Sequence, residues 1–60
     1  MTIQEAVKSG KPFKRPGWDM WYRIFNREEG FEQVIDITYS SRMYLSPEDK
    51  TAIDWKTKKG

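Results

Sequence analysis

"KPFKRPGWDMWYR", residues 11–23, packs four cationic side chains (Lys11, Lys14, Arg15 and Arg23), two tryptophans, a tyrosine and two prolines into thirteen positions. Proline has no amide hydrogen to give to a ladder, so Pro12 and Pro16 bracket a short edge strand at residues 13–15. Pro16 and Gly17 then stand at the central positions of a type II turn, where the first residue needs φ near that of proline and the second needs a positive φ. That turn sends the chain back as a second strand over residues 19–26. The core of the fold is therefore an antiparallel sheet.

Working toward the N-terminus, Thr2 and Glu5 have capping-box spacing, Ile3, Ala6 and Val7 form one apolar stripe, and Gly10 sits where a helix ends. A helix over residues 3–9 is too short to persist alone and must lie on the sheet. Toward the C-terminus, "REEG" (residues 27–30) closes a hairpin into "FEQVIDITY" (residues 31–39), a third strand rich in β-branched and aromatic residues. A four-residue loop pairs Asn26 with Phe31. Met20, Tyr22 and Ile24 then share a face with Ile35 and Ile37, and Trp21, Arg23 and Phe25 share the other with Glu32, Val34 and Asp36. "SSR" turns into a strand at residues 43–45, and Ser46, Pro47 and Asp49 start a helical turn reaching Ala52. Residues 53–57 close as a last strand with Ile53 and Trp55 inward, and residues 58–60 form a frayed tail. The expected fold is α+β: a small antiparallel sheet of four to five short strands, one N-terminal helix and a helical turn before the last strand, with residues 1–60 as a single compact domain.

At 60 residues such a domain buries only about 60% of the surface of its unfolded chain. With no cysteine and no histidine, disulfides and thiolate zinc sites are excluded, which leaves self-association as the means of support. The same absence fits a cytoplasmic location, and no run approaches the ~20 apolar residues of a membrane span. The most frequent general base and the strongest nucleophile are also missing, so an enzyme is not expected; no catalytic residue, metal ligand or cofactor is assigned. Without a Walker-type or dinucleotide-type glycine loop, phosphate has to be met by side chains or a helix N-terminus.

Arginines suit phosphates and aromatics stack on bases, which nominates Arg15, Trp18, Trp21, Arg23 and Arg42 as ligand-binding residues. One helix covers one sheet face only. Trp21, Phe25 and Val34 on the other face are thus expected to form an interface with a second copy or another protein. Glu32 and Asp36, placed on that face by the register, repel phosphates and favour the protein contact over a nucleotide. Net charge is only +2, and the cluster Lys8, Lys11, Lys14 and Arg15 is small, so nucleic acid is expected to bind weakly at most.

"GKPFKRPGW" (residues 10–18), directly after a short helix, resembles the opening G-K-x-x-x-R-x-G-W of the small phage-borne proteins named for Thoeris anti-defence protein two. "LSPEDKTAIDW" (residues 45–55) resembles their closing pattern, a capped turn with Asp followed by Ala-x-Asp-Trp. Gly10, Arg15, Gly17, Trp18, Asp49, Ala52, Asp54 and Trp55 match the recurrent positions, while the middle is shorter than in typical members. The resemblance implies a compact α+β homo-oligomer of phage origin in the host cytoplasm. It also implies a counter-defence role, the sequestering of a cyclic nucleotide immune signal between subunits without cleaving it. Two other expectations stand beside it: a small inhibitor or regulator of a host protein acting through Trp21 and Phe25, and a weak nucleic-acid binder through residues 8–15.

Overall fold

Three short local patterns set the frame of the structure, a computed structural model that describes residues 1–26, 28 and 30–59. The first is the start of helix α1, Ile3–Lys8, where the Glu5 amide donates to the Thr2 hydroxyl (3.2 Å) and the Thr2 amide donates to the Glu5 carboxylate (2.9 Å). The Thr2 amide, and after it the Thr2 hydroxyl, which also donates to that carboxylate, hold the Glu5 carboxyl below its usual range. The helix stops where Gly10 takes φ +75° and its N–H reaches the Val7 carbonyl at 3.1 Å. The second pattern is the turn after strand β1, Phe13–Lys14: Gly17 has φ +89° and the Trp18 amide donates to the Arg15 carbonyl at 3.2 Å, as a type II turn requires. The third is helix α2, Pro47–Thr51, with reciprocal bonds between Ser46 and Asp49 (3.1 and 3.2 Å).

Strands β2 (Tyr22–Ile24), β3 (Gln33–Asp36), β4 (Arg42–Tyr44) and β5 (Lys56–Thr57) complete one antiparallel sheet in the order β4-β3-β2-β1-β5. Among the described residues, two short helices and this five-stranded sheet make an α+β fold. The buried core is Ile3 and Ala6 of α1, Phe13, Val34, Leu45 and Trp55, with Val7, Trp18, Tyr22, Phe31, Met43 and Ala52 packed around it. Both helices therefore lie against one face of the sheet, here called inner. Among the described residues, no helix is long and apolar enough to cross a membrane.

Strand β1 is not an edge, contrary to what its flanking prolines suggested. β5 returns to pair with it, Phe13 opposite Thr57 and Lys14 opposite Lys56. Proline lacks a donor but keeps an acceptor, and the Lys58 amide donates to the Pro12 carbonyl at 2.8 Å. The expected frayed tail is thus tied at Lys58, and its last residue, Gly60, lies outside the described residues.

The β2–β3 register also differs, by one residue. Tyr22 faces Asp36, Arg23 faces Ile35 and Ile24 faces Val34. The last bond toward the connection runs from the Phe25 amide to the Gln33 carbonyl (3.1 Å), so the chain between them is longer than a tight four-residue loop. Arg27 and Glu29 of that loop lie outside the described residues. Because side chains alternate across a strand, one step exchanges the faces. Val34 enters the core at 0% exposure, and Ile35 and Ile37 move to the outer face.

Asp36 goes inward too, at 5% exposure, because the turn after β3 supplies donors for its charge. The amides of Thr38 and Tyr39 both reach one carboxylate oxygen at 2.7 Å. The Tyr39 bond, with help from Thr38 and Ser41 against the opposing effect of burial, holds the Asp36 carboxyl below the usual range. Ile53 is a further correction: it is 76% exposed rather than inward. Alternation does not govern residues 53–55 because they are not a regular strand but a segment tied to the N-terminus. The Met1 ammonium donates to the Ile53 carbonyl (2.7 Å), and the Trp55 amide donates to the Met1 carbonyl (3.1 Å).

Candidate functional site

The two ends of the chain meet in a lock behind the sheet. Arg15 leaves β1 just before the turn, and its Nη1 donates to Asp49 Oδ1 at 2.8 Å while Nε and Nη2 reach the two Asp54 oxygens at 2.9 and 3.3 Å. The bond from Arg15 holds the Asp54 carboxyl below its usual range. Burial works against the charged form of Asp49, but bonds from Arg15 and Ser46 outweigh it and lower that carboxyl as well. Both carboxylates in turn hold the Arg15 guanidinium protonated still more firmly.

Beside this ion cluster the rings of Trp18 and Trp55 meet edge to face at 5.2 Å, Trp18 meets Tyr22 at 5.2 Å, and Phe13 meets Trp55 at 5.5 Å. The Trp55 indole donates to the Asp49 carbonyl at 3.0 Å. Arg15 and Trp18, nominated from sequence for phosphate and base, are placed here in the lock. Arg15 has a partner on every side that faces Asp49 and Asp54, and Trp18 spends its ring edges on the core.

Trp21, Arg23, Phe25 and Arg42 are brought together elsewhere, on the outer face of the sheet. The guanidinium of Arg42 lies 4.9 Å over the Phe25 ring, crossing β3 to reach it. Lys14 Nζ lies 5.0 Å over the Trp21 ring and donates to the Trp18 carbonyl at 2.9 Å. Each cation is steadied by the electron-rich face of a ring. The outward positions of the five strands are Lys14, Arg23, Gln33, Ile35, Arg42, Tyr44 and Lys56, with no carboxylate among them. The two acids that would have repelled an anion are accounted for: Asp36 is inside, and Glu32 pairs with Lys50 of α2 at 2.8 Å. The same register step removes Val34, the third expected interface residue, from this face. Phe25 (41%), Ile37 (38%) and Tyr44 (74%) remain exposed on it.

Lys14, Tyr44 and Lys56 also belong to this surface; the sequence marks Lys14 only as part of the cationic cluster 8–15 and assigns Tyr44 and Lys56 to no site. Their signal was alternation, which is readable only once the register is known. Arg23 also lines a groove of about 230 Å³ between α1 and β2, with Val7, Gly10, Lys11, Phe13 and Ile24. A second groove of about 360 Å³ lies on the other flank of α1, between Gln4, Val7, Lys8 and the segment Gly30–Phe31. Enclosed small-molecule sites run from about 300 to 1,000 Å³. The first groove falls below that range, and among the described residues the second has one cation, Lys8, at its rim. Chemically, the outer face can attract phosphate, stack a base and cover apolar area. Comparison with known protein families, curated proteins and solved structures gives no match.

Proposed function

We propose that the chain is a binding protein that captures a cyclic nucleotide on the outer face of its sheet and holds it without cleaving it, in the manner of a phage counter-defence protein that sequesters a host immune signal. The observation that carries this reading is the outer face itself, where Arg23, Arg42, Lys14 and Lys56 stand among Trp21, Phe25 and Tyr44 with no strand carboxylate beside them. Guanidinium groups bind phosphate oxygens through paired N–H donors, and a base stacked on an aromatic ring contributes about 1–3 kcal/mol. The resemblance of the two chain ends to the Thoeris anti-defence proteins supports the same ligand class. It does so through the scaffold, because its matching residues Arg15, Trp18, Asp49, Asp54 and Trp55 make the lock rather than the face.

Capture asks for nothing beyond charge and rings, and self-association would extend the face beyond what one small sheet offers. A second reading, a host protein as partner, is favoured by the exposure of Phe25, Ile37 and Tyr44. Thermal shift with a panel of cyclic di- and trinucleotides and cyclic ADP-ribose isomers distinguishes the two. A rise in melting temperature with one member, absent with linear mononucleotides, is expected. No response to any member at millimolar ligand would overturn capture and leave the protein partner. Short single-stranded DNA serves as the nucleic-acid arm, with weak binding that disappears at moderate salt expected.

A further inference from the structure

We propose that two copies of the chain join edge to edge through β4, with Arg42 of each copy opposite Tyr44 of the other and the two Met43 residues at the two-fold axis. The sheet has two edges, β4 and β5. β5 is two residues long and sits among Lys56, Lys58 and Lys59, the kind of charge that keeps a sheet edge from pairing. β4 has no such guard.

The hydrogen-bond pattern shows which groups of β4 are free. The Leu45 amide donates to the Glu32 carbonyl at 2.9 Å, and the Asp36 amide donates to the Ser41 carbonyl at 3.0 Å. Bonded and non-bonded pairs alternate in an antiparallel ladder, so residues 41, 43 and 45 turn their backbone groups toward β3. Arg42 and Tyr44 therefore turn their N–H and C=O groups away from the sheet, and among the described residues nothing accepts or donates there. Arg42, the one charge on the strand, is drawn back over Phe25 and leaves the edge open.

Three in-phase pairings of two β4 strands set outward groups against outward groups. Arg42 opposite Arg42 places like charges side by side. Tyr44 opposite Tyr44 sets Arg42 against Ser46, whose amide already donates to the Asp49 carboxylate at 3.2 Å. Arg42 opposite Tyr44 has neither fault: every free N–H and C=O of both residues finds a partner, and each Arg42 guanidinium stays over its own Phe25. On the inner face Met43, only partly buried in one copy, meets its counterpart, and the flexible thioether adapts to that contact. Such a pairing is self-complementary and closes as a dimer, since the remaining edges are the lysine-flanked β5 strands. The two outer faces then become one surface, with Arg42 and Phe25 of both copies toward its middle.

This inference stands on the edge alone, and its test uses no nucleotide, so it and the capture reading can fail separately. Sedimentation velocity on the purified chain is expected to show a two-copy species at high micromolar concentration that dissociates on dilution. Amide exchange followed by NMR is expected to show Arg42 and Tyr44 protected in the concentrated sample and fast in the dilute one. Tyr44→Pro removes an outward amide that the single copy does not use, and should remain monomeric with an unchanged circular dichroism spectrum. Should that variant not fold, Tyr44→Lys, which sets a lysine against Arg42 of the second copy, should raise the dissociation constant tenfold or more. A wild type that stays monomeric at high micromolar concentration, or a dimer whose Arg42 and Tyr44 amides exchange as fast as in the monomer, would overturn the proposal.

Discussion

Replacing Trp55 by phenylalanine tests the lock at its centre. Trp55 is 2% exposed, meets Phe13 and Trp18 edge to face at 5.5 and 5.2 Å, and donates its indole N–H to the Asp49 carbonyl at 3.0 Å. Phenylalanine keeps an aromatic ring against Phe13 and Trp18 but has no donor, so it removes the bond and leaves the Asp49 carbonyl without that partner. The bond itself is worth about 1 kcal/mol and an unsatisfied buried acceptor costs roughly 1–3 kcal/mol, which places the loss near 2 kcal/mol. For a domain of this size each kcal/mol moves the melting temperature by about 4–8 °C, so Trp55→Phe should melt about 8–16 °C lower. Trp55→Ala, at about 3–5 kcal/mol, approaches the whole stability of the domain, which at ~0.05–0.15 kcal/mol per residue is about 3–9 kcal/mol. The assay is thermal denaturation followed by far-ultraviolet circular dichroism, since tryptophan fluorescence changes with the mutation itself. A Trp55→Phe protein melting within about 2 °C of wild type would refute the lock as described, because no buried indole bond would then have been lost.

Acid should destabilise the chain. Glu5, Asp36, Asp49 and Asp54 all have carboxyls lowered in the folded state, so the unfolded chain takes up protons first as pH falls. Their contribution is then complete above roughly pH 5 and is lost as pH drops through about 4 and below. Melting curves between neutral pH and pH 2 should show that fall, a shallower one in Arg15→Ala, and a flat profile would contradict the hydrogen-bonded carboxylates. Ser40 has φ +59°, a conformation that costs a non-glycine residue about 1–2 kcal/mol, so Ser40→Gly should raise stability by about 0.5–1 kcal/mol after glycine's own entropy is subtracted. A lower melting temperature for that variant would mean that the turn between β3 and β4 depends on the serine side chain. Phe25→Ala removes a ring that is 41% exposed and lies beneath Arg42 outside the buried core, so it should cost less than the roughly 3–5 kcal/mol of a fully buried phenylalanine while weakening ligand capture. A large stability loss in that variant would place Phe25 in the core instead.

What the sequence discloses is set by the range of the interaction. Thr2 with Glu5, Ser46 with Asp49, and Arg15 to Trp18 act within three residues, so both helix starts and the first turn are legible in the chain itself. The inward turn of Asp36 is also local, but a carboxylate in a strand pattern reads as solvent-facing until the amides of Thr38 and Tyr39 are known to bind it. The β2–β3 register depends on a connection whose length the "REEG" motif understated, and one step there exchanged Val34 and Ile35 between faces. The partners of Arg15 stand 34 and 39 residues away, which is why the local pattern of a cation beside aromatics did not disclose the ion pairs it makes. The outer face was legible in part: Trp21, Arg23, Phe25 and Arg42 were each singled out, and the register then set them apart from Glu32, Asp36 and Val34.

The central claim, that the outer face and not the lock holds the ligand, is tested most directly by calorimetric titration of the responding cyclic nucleotide into wild type, Arg42→Ala and Arg15→Ala. A hydrogen bond to a charged group contributes about 1.5–3 kcal/mol, so Arg42→Ala should weaken binding about tenfold to a hundredfold. Arg15→Ala should lower thermal stability yet bind, per folded chain, as wild type does. Binding that survives Arg42→Ala and disappears in folded Arg15→Ala would contradict the account and return the ligand to Arg15.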